Sequence, residues 1–282
     1  MNRLQTSWEI AKRSWAVLKS DKTLAWFPVL SALGCLAVVA VLGGLVAVAG
    51  IDDSANGTAL RPLGYVFIAF AYLGVAFVQT YFLAGLVAGA DTRLHGVDST
   101  VKGALGVANT KLHRLLPWAI VSATVTLVLN QLERQGIIGQ IVATLVGMAW
   151  NLVTFLTVPI LVIEDLGVGA ALKRSKDLFK RTWGENVIGQ GGLGLVGVLL
   201  VLPAVLLVVV GAALGTAGLV VLGGIALVWA IVVSVVLLAL SGIYRTALYW
   251  YASTGEVPGD FSGMDFQAQF RPRRRGLAAG GS

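Results

Sequence analysis

Long runs without a charged residue place the strongest limit on what this chain can fold into. Uncharged stretches cover residues 24–51, 62–90, 115–132, 136–163 and 186–244. A helix needs about 20 apolar residues to cross the hydrocarbon core of a bilayer. The last stretch is long enough for two crossings, divided near residues 211–218. We therefore predict an all-α polytopic membrane protein with six transmembrane helices, at about 24–50, 63–90, 115–132, 137–163, 187–210 and 217–244.

Composition favours one membrane domain over a soluble one. Charged residues make up 12% of the chain, whereas about a quarter is usual in soluble domains. We predict a single six-helix domain over residues 1–255, followed by a basic cytoplasmic tail at 256–282.

The positive charges predict which way the protein faces. Of the 21 Lys and Arg residues, only Arg61 and Arg134 lie in segments on one side of the predicted spans. Lys and Arg are enriched in cytoplasmic loops of membrane proteins. We expect a multi-pass protein of the cytoplasmic (inner) membrane with both termini in the cytoplasm. The net charge of +7 is accounted for by this topology, without a nucleic-acid partner.

The predicted cytoplasmic segments resemble one another. "AKRSWAVLK" at residues 11–19 aligns with "LKRSKDLFK" at residues 172–180, and "ALGVANTKLHR" at residues 104–114 aligns more weakly. Each segment has apolar residues at helical spacing and precedes two predicted spans. The pattern predicts three repeats, each an amphipathic helix followed by a helical hairpin. Chance similarity between basic amphipathic helices is the alternative.

A basic collar on these helices is the first candidate binding site. Amphipathic helices rich in Lys and Arg lie in the membrane interface and attract anionic lipids. We expect membrane lipids, chiefly anionic ones, as partners. A protein partner or a homo-oligomer is the alternative. The plainer explanation is that these charges only anchor and orient the protein in the membrane. The candidate headgroup-binding or partner-binding residues are Lys12, Arg13, Lys173, Arg174, Lys176, Lys180 and Arg181.

Acidic and aromatic residues flank the third basic segment at the predicted membrane boundary. Glu164 and Asp165 follow the fourth span, and Trp183, Glu185 and Asn186 stand where the fifth begins. We interpret these five as an interfacial motif whose carboxylates pair with nearby basic side chains. A structural role is preferred to a catalytic one, because ion-pair networks are common without chemistry.

The residues that most enzymes and ion-coupled transporters need are scarce. The predicted spans contain no ionisable residue, His95 and His113 lie far apart in sequence, and Cys35 is the single cysteine. We expect no metal, no cofactor and no enzymatic activity. The alternative function is that of a transporter, permease or lipid-moving protein for a neutral or amphiphilic solute. Its polar cleft would contain Asn151 and Gln190.

Two stretches carry a resemblance to a known family. "VPILVIEDLGVGAALKRSKDLFKRTWGENVIG" and the later "YRTALYWYASTGEVPGDF" resemble an uncharacterised prokaryotic family of six-pass integral membrane proteins, a domain of unknown function. The resemblance implies the six-span architecture and a membrane location. It implies no activity, so the predicted function rests on the residues: a non-enzymatic membrane protein that binds anionic lipid or a partner through its basic collar.

Overall fold

The computed structural model describes residues 3–54, 57–181 and 183–255, and these form an almost entirely helical chain. The helices are α1 (Arg3–Ser20), α2 (Trp26–Ala49), α3 (Pro62–Leu94), α4 (Val101–Thr110), α5 (Leu112–Glu133), α6 (Gly136–Thr154), α7 (Thr157–Ile163), α8 (Val168–Arg181), α9 (Trp183–Ala213) and α10 (Gly215–Thr254). A short 3-10 helix, Lys22–Ala25, precedes α2. Strands β1 (Ile51–Ser54) and β2 (Gly57–Leu60) form an antiparallel hairpin.

Six stretches of helix among the described residues are long and apolar enough to cross a membrane. They are Lys22–Ala49, Pro62–Leu94, Leu112–Glu133, Gly136–Ile163, Val196–Ala213 and Gly215–Thr254. Large apolar side chains cover their outer surfaces; Val48 is 86% exposed and Ile138 is 79% exposed. Apolar patches of this extent mark contact with lipid rather than with water. The all-α polytopic membrane fold predicted from the apolar runs is confirmed.

Consecutive long helices pack in pairs, α2 with α3, α5 with α6, and α9 with α10. Glycine permits the tightest of these contacts. A Cβ atom on Gly50 would lie 2.8 Å from the Cα atom of Gly64, so the α2–α3 pair could not close with larger residues there. Gly215, the first residue of α10, has a φ of +82°, a left-handed conformation that glycine adopts without steric cost.

The structure divides the fourth predicted span, 137–163, into α6 and α7. Helical geometry is lost at Phe155 and Leu156, four and three residues before Pro159. Proline has no N–H to donate to the carbonyl four residues earlier, and its ring clashes with that carbonyl. The break therefore follows directly from Pro159. The hydroxyl of Ser175 on α8 donates a hydrogen bond to the Val153 carbonyl beside the break.

Helices α1, α4 and α8, which each precede a hairpin in the chain, are short helices that pack against a hairpin of long helices. Helix α4 lies on α3, α8 lies on α6 and α7, and α1 lies on α9 and α10. We call the end of the bundle that carries these three helices the basic end. Most of the buried core lies here, including Leu24, Phe27, Ile160, Leu178 and Tyr244. The basic end is thus the packed part of the molecule, and the remaining helix surfaces face outward.

Two helices run further than the apolar runs predict. The predicted second span ends at residue 90 and the sixth at 244, but α3 continues to Leu94 and α10 to Thr254. Asp91 and Arg245 consequently lie within helices that the candidate spans include. Both residues follow directly after the predicted spans, which end at 90 and 244, so the expectation that those spans hold no ionisable residue stays a prediction.

Candidate functional site

The basic collar divides into exposed and engaged side chains. Lys12 on α1 and Lys173, Lys176 and Lys180 on α8 are exposed, whereas Arg13 and Arg174 are half-buried. The side chain of Arg181 lies outside the described residues, as do those of Trp183, Glu185, Asn186 and Gln190. The four lysines are the members of the collar that the structure leaves accessible to a ligand in the described part of the chain.

Arg174 is held by Glu164. Its Nε atom lies 3.0 Å and 3.2 Å from the two carboxylate oxygens, a charge-assisted arrangement that is stronger than a neutral hydrogen bond. The phenol of Tyr249 on α10 donates to the same carboxylate at 3.0 Å. Glu164 thereby joins the end of α7 to α8 and α10, which assigns Arg174 a positioning role in the collar.

Asp165 pairs with a different set of basic residues. Lys111 Nζ lies 3.0 Å and Arg114 Nε 3.5 Å from its carboxylate oxygen, so the residue links the α7–α8 junction to the start of α5. The hydrogen bond from Lys111 is the largest influence, and it holds the pKa of the Asp165 carboxyl below its ordinary value. The backbone of Asp165 has a φ of 54°, a left-handed conformation that aspartate adopts more readily than most residues. The turn directs the two neighbouring acids to separate partners.

Asp21 fixes the junction between α1 and α2. Its carboxylate accepts hydrogen bonds from the backbone N–H groups of Ser99 at 3.1 Å and Thr23 at 3.0 Å, and from both hydroxyls. Burial favours the neutral acid, but these hydrogen bonds outweigh it and hold the pKa of Asp21 below its ordinary value of 3.8. The α1–α2 corner is therefore tied to the loop that leads into α4.

An apolar groove lies beneath the exposed lysine of α1. The cavity, of about 460 Å³, is bordered by α1, α9 and α10. Lys12 and Trp15 stand on its α1 side, and Trp15 is 49% exposed. Its remaining lining residues are Ala11, Val196, Leu200, Trp229, Val232, Val233, Val236 and Leu240. This places a primary ammonium next to a groove that accepts hydrocarbon, an arrangement suited to an amphiphile.

The polar cleft predicted around Asn151 and Gln190 stays a prediction. Asn151 is exposed on α6, and the cavities along α10 are lined by other residues. Gln190 lies outside the described side chains.

Several residues at the basic end were missed by reasoning from the sequence. The sequence predicts only that Lys111, Arg114 and Arg245 contribute to the orientation of the protein, and it gives no indication of a role for Tyr249. Lys111, Arg114 and Tyr249 each pair with a residue 51 or more positions away in the chain. Pairing over that distance leaves no recognisable pattern in the local sequence. The one usable signal was the run of aromatic residues after Arg245, which indicates that the helix continues.

The fold and these clusters define a multi-pass α-helical membrane protein. The model of the "Family of unknown function (DUF6159)" matches residues 62–259, and the chain belongs to this family. The expected likeness to a family of unknown function is confirmed, and its prokaryotic origin stays a prediction. No curated protein and no solved structure matches the chain. The match covers α3 to α10 and includes Glu164, Asp165 and Arg245.

Proposed function

We propose that this protein is a non-enzymatic protein of the cytoplasmic membrane whose basic end binds anionic lipid. The observation that carries the proposal is the position of Lys12 beside the apolar groove between α1, α9 and α10. In this arrangement the lysine attracts a lipid headgroup while the groove accepts an acyl chain. Lys173, Lys176 and Lys180, exposed on α8, add positive charge at the same end of the molecule.

The charge distribution supports the orientation that this function needs. Among the described segments, Arg61 and Arg134 are the Lys and Arg residues at the end opposite α1, α4 and α8. A basic end facing the cytoplasm agrees with the enrichment of Lys and Arg on that side. The anionic lipids of the cytoplasmic leaflet would attract each lysine near the surface by about 1 kcal/mol.

The order of elements also supports the proposed threefold repeat. Helix α1 precedes α2 and α3, α4 precedes α5 and α6, and α8 precedes α9 and α10. Burial along residues 10–19 of α1 matches that along residues 171–180 of α8 at every position except the pair Ala11 and Leu172. We infer that α1 and α8 are equivalent elements, and that each presents its lysines outward for the same physical reason.

Native mass spectrometry with defined lipids tests the lipid-binding proposal. The test variant combines Lys12→Glu, Lys173→Glu, Lys176→Glu and Lys180→Glu, and leaves Arg174 in place because it pairs with Glu164. We expect the variant to retain roughly tenfold less phosphatidylglycerol than the parent, because four attractive charges become repulsive. Retention of phosphatidylcholine should change little.

Arg134→Glu serves as the matched control, since Arg134 is exposed at the opposite end of the bundle. It reverses a charge without touching the basic end, so phosphatidylglycerol retention should equal that of the parent. Equal retention by the parent and the fourfold variant would overturn lipid binding by the collar. A protein partner or second copy of the chain that dissociates from the fourfold variant, without lipid loss, would assign the collar to protein binding.

A further inference from the structure

Arg245 lies between two cavities that adjoin α10. The larger, of about 420 Å³, is bordered by α2, α3 and α10, and the smaller, of about 320 Å³, by α9, α10 and the break between α6 and α7. Leu238, Ser241 and Arg245 line both. One face of α10 therefore presents the same arginine to two neighbouring spaces.

The positive charge of Arg245 has no anionic partner among the described residues. Its guanidinium carbon lies 4.6 Å from the centre of the Phe155 ring, and its buried Nε atom has no hydrogen-bond acceptor in the described part of the chain. The described residues that line the two cavities include no Asp or Glu. Charged residues among membrane helices are costly, and they pair with another group or mark the path of a ligand.

The larger cavity combines polar and apolar walls. Ser31, Gln79 and Ser241 line it together with Arg245, whereas Phe27, Phe82 and Leu86 supply apolar surface. The volume falls in the range of about 300–1,000 Å³ that is usual for small-molecule sites. Leu238, at its edge, is 58% exposed, so the cavity opens on the apolar outer surface. A molecule dissolved in the bilayer can enter it without crossing water.

These observations identify the chemistry of a fitting ligand. A guanidinium offers several N–H donors in a planar fork that matches a carboxylate or a phosphate. The serine hydroxyls and the glutamine amide add neutral hydrogen-bonding groups on the same walls. The apolar surface accepts hydrocarbon and gains from its burial. The combination fits a molecule with an acidic head and a single chain better than it fits either a free ion or a neutral solute.

We propose that Arg245 is the anion-binding residue of a site for a single-chain acidic amphiphile, with a phosphate or carboxylate head. The head binds the guanidinium with Ser31, Gln79 and Ser241 close by, and the chain lies along Phe27, Phe82 and Leu86. Phe155 holds the guanidinium in place from the other side through its ring. The site does not include the exposed lysines, so this proposal can be correct whether or not the collar binds lipid.

Binding of dodecyl phosphate to the protein in phosphatidylcholine nanodiscs tests the proposal, with empty nanodiscs as the reference. We expect Arg245→Met to weaken binding roughly tenfold or more, since hydrogen bonds to a charged group are lost. Arg245→Lys should retain part of the affinity, because the charge stays and the planar fork is lost. Both substitutions are compared in a background that carries Lys12→Glu, Lys173→Glu, Lys176→Glu and Lys180→Glu, which removes binding of the probe by the collar, and Arg134→Glu at the opposite end of the bundle should leave binding unchanged.

Any of three results would contradict the proposal. Dodecanol binding as tightly as dodecyl phosphate would show that charge is not recognised. Inorganic phosphate binding as tightly would show that the site takes a free anion. Unchanged binding by Arg245→Met would remove the arginine from the site. Should that variant fail to fold, Ala32→Phe fills the larger cavity and leaves the charge in place; undiminished binding by it would overturn the proposal equally.

Discussion

At the scale of single residues, three acids hold the basic end together, and each does so differently. Glu164 binds Arg174 and Tyr249, Asp165 binds Lys111 and Arg114 from an exposed turn, and Asp21 is buried against backbone donors. A carboxylate that accepts several N–H and O–H groups is stabilised in its charged form. Of the three, Asp21 is the most enclosed, so its ionisation should be the most visible in stability.

Asp21 predicts an acid dependence of stability. Its pKa is lower in the folded protein than in the unfolded chain. The stabilisation is therefore complete above the unfolded value of about 3.8 and is lost as the pH falls through the lower, folded value. At pH 7 we expect Asp21→Asn to lower the free energy of unfolding by about 1–3 kcal/mol, since hydrogen bonds to a charged group are lost.

Thermal unfolding in detergent between pH 7 and pH 3 measures this effect. The difference in melting temperature between the parent and Asp21→Asn should shrink at the acid end of the range. Asp98→Asn is the control from the same loop, because Asp98 is exposed and makes a surface ion pair with Arg93 that contributes little. A pH-independent difference for Asp21→Asn would show that ionisation of Asp21 is not what stabilises the corner.

At the scale of elements, the apolar runs predict the spans well because the length of each run has to match the thickness of the bilayer that the helix crosses. The helix ends are less predictable, since they depend on packing and capping. Helix α10 continues past Arg245 because Thr246, Ala247 and Leu248 are buried, and it ends at Thr254, just before Gly255, whose φ is +79°. The β1–β2 hairpin is not predicted by the sequence, because its two four-residue strands lack the alternating apolar pattern of a half-buried strand.

The partners in the candidate site were beyond prediction for a related reason. A basic side chain in the sequence shows its charge but not its tertiary neighbour. Arg174 and Lys173 are adjacent in the chain, yet the first is bound by Glu164 and the second is exposed. Which of them can meet a ligand is decided by the helical phase of α8 and by the position of α7, and both become known only with the fold.

Helices α1 and α8 allow a matched test of their equivalence. Ser14 and Ser175 occupy aligned positions and are both fully buried. The Ser175 hydroxyl donates to the Val153 carbonyl, whereas the Ser14 hydroxyl has no partner among the described residues. We expect Ser175→Ala to lower the free energy of unfolding by about 1 kcal/mol, because a buried carbonyl loses its donor. Ser14→Ala should be neutral or slightly stabilising.

The measurement is chemical or thermal unfolding of both variants beside the parent, with circular dichroism to confirm helix content. Alanine is a better helix former than serine by a few tenths of a kcal/mol, and this contribution applies equally to both sites. The difference between the two variants therefore isolates the hydrogen bond to the α6–α7 break. Equal destabilisation by both variants would show that the bond does not anchor α8.

At the scale of the whole molecule, the first helix of the chain packs against the last hairpin. Helix α4 lies against the hairpin before it, α8 against the next, and α1 against the last, formed by α9 and α10. If the three units are repeats, each short helix packs on the preceding hairpin in a ring, and the N-terminal helix completes it. Such an arrangement places all three short helices at one end, which explains why the charge is concentrated there and why most of the buried core lies beside it.

This arrangement predicts which surfaces face the cytoplasm. Cys35 is the only cysteine, so Cys35→Ser gives a background for single reporters. Lys180→Cys reports on the basic end and Arg134→Cys on the opposite end, and both positions are exposed. With a membrane-impermeant maleimide on intact spheroplasts, we expect Arg134→Cys to be labelled and Lys180→Cys to be labelled only after permeabilisation. The reverse pattern would invert the orientation, and the anionic lipid sites would then face the outer leaflet. Labelling of both reporters in intact spheroplasts would mean that the two ends lie on one side of the membrane, which contradicts the single crossing, Gly136–Ile163, that separates them.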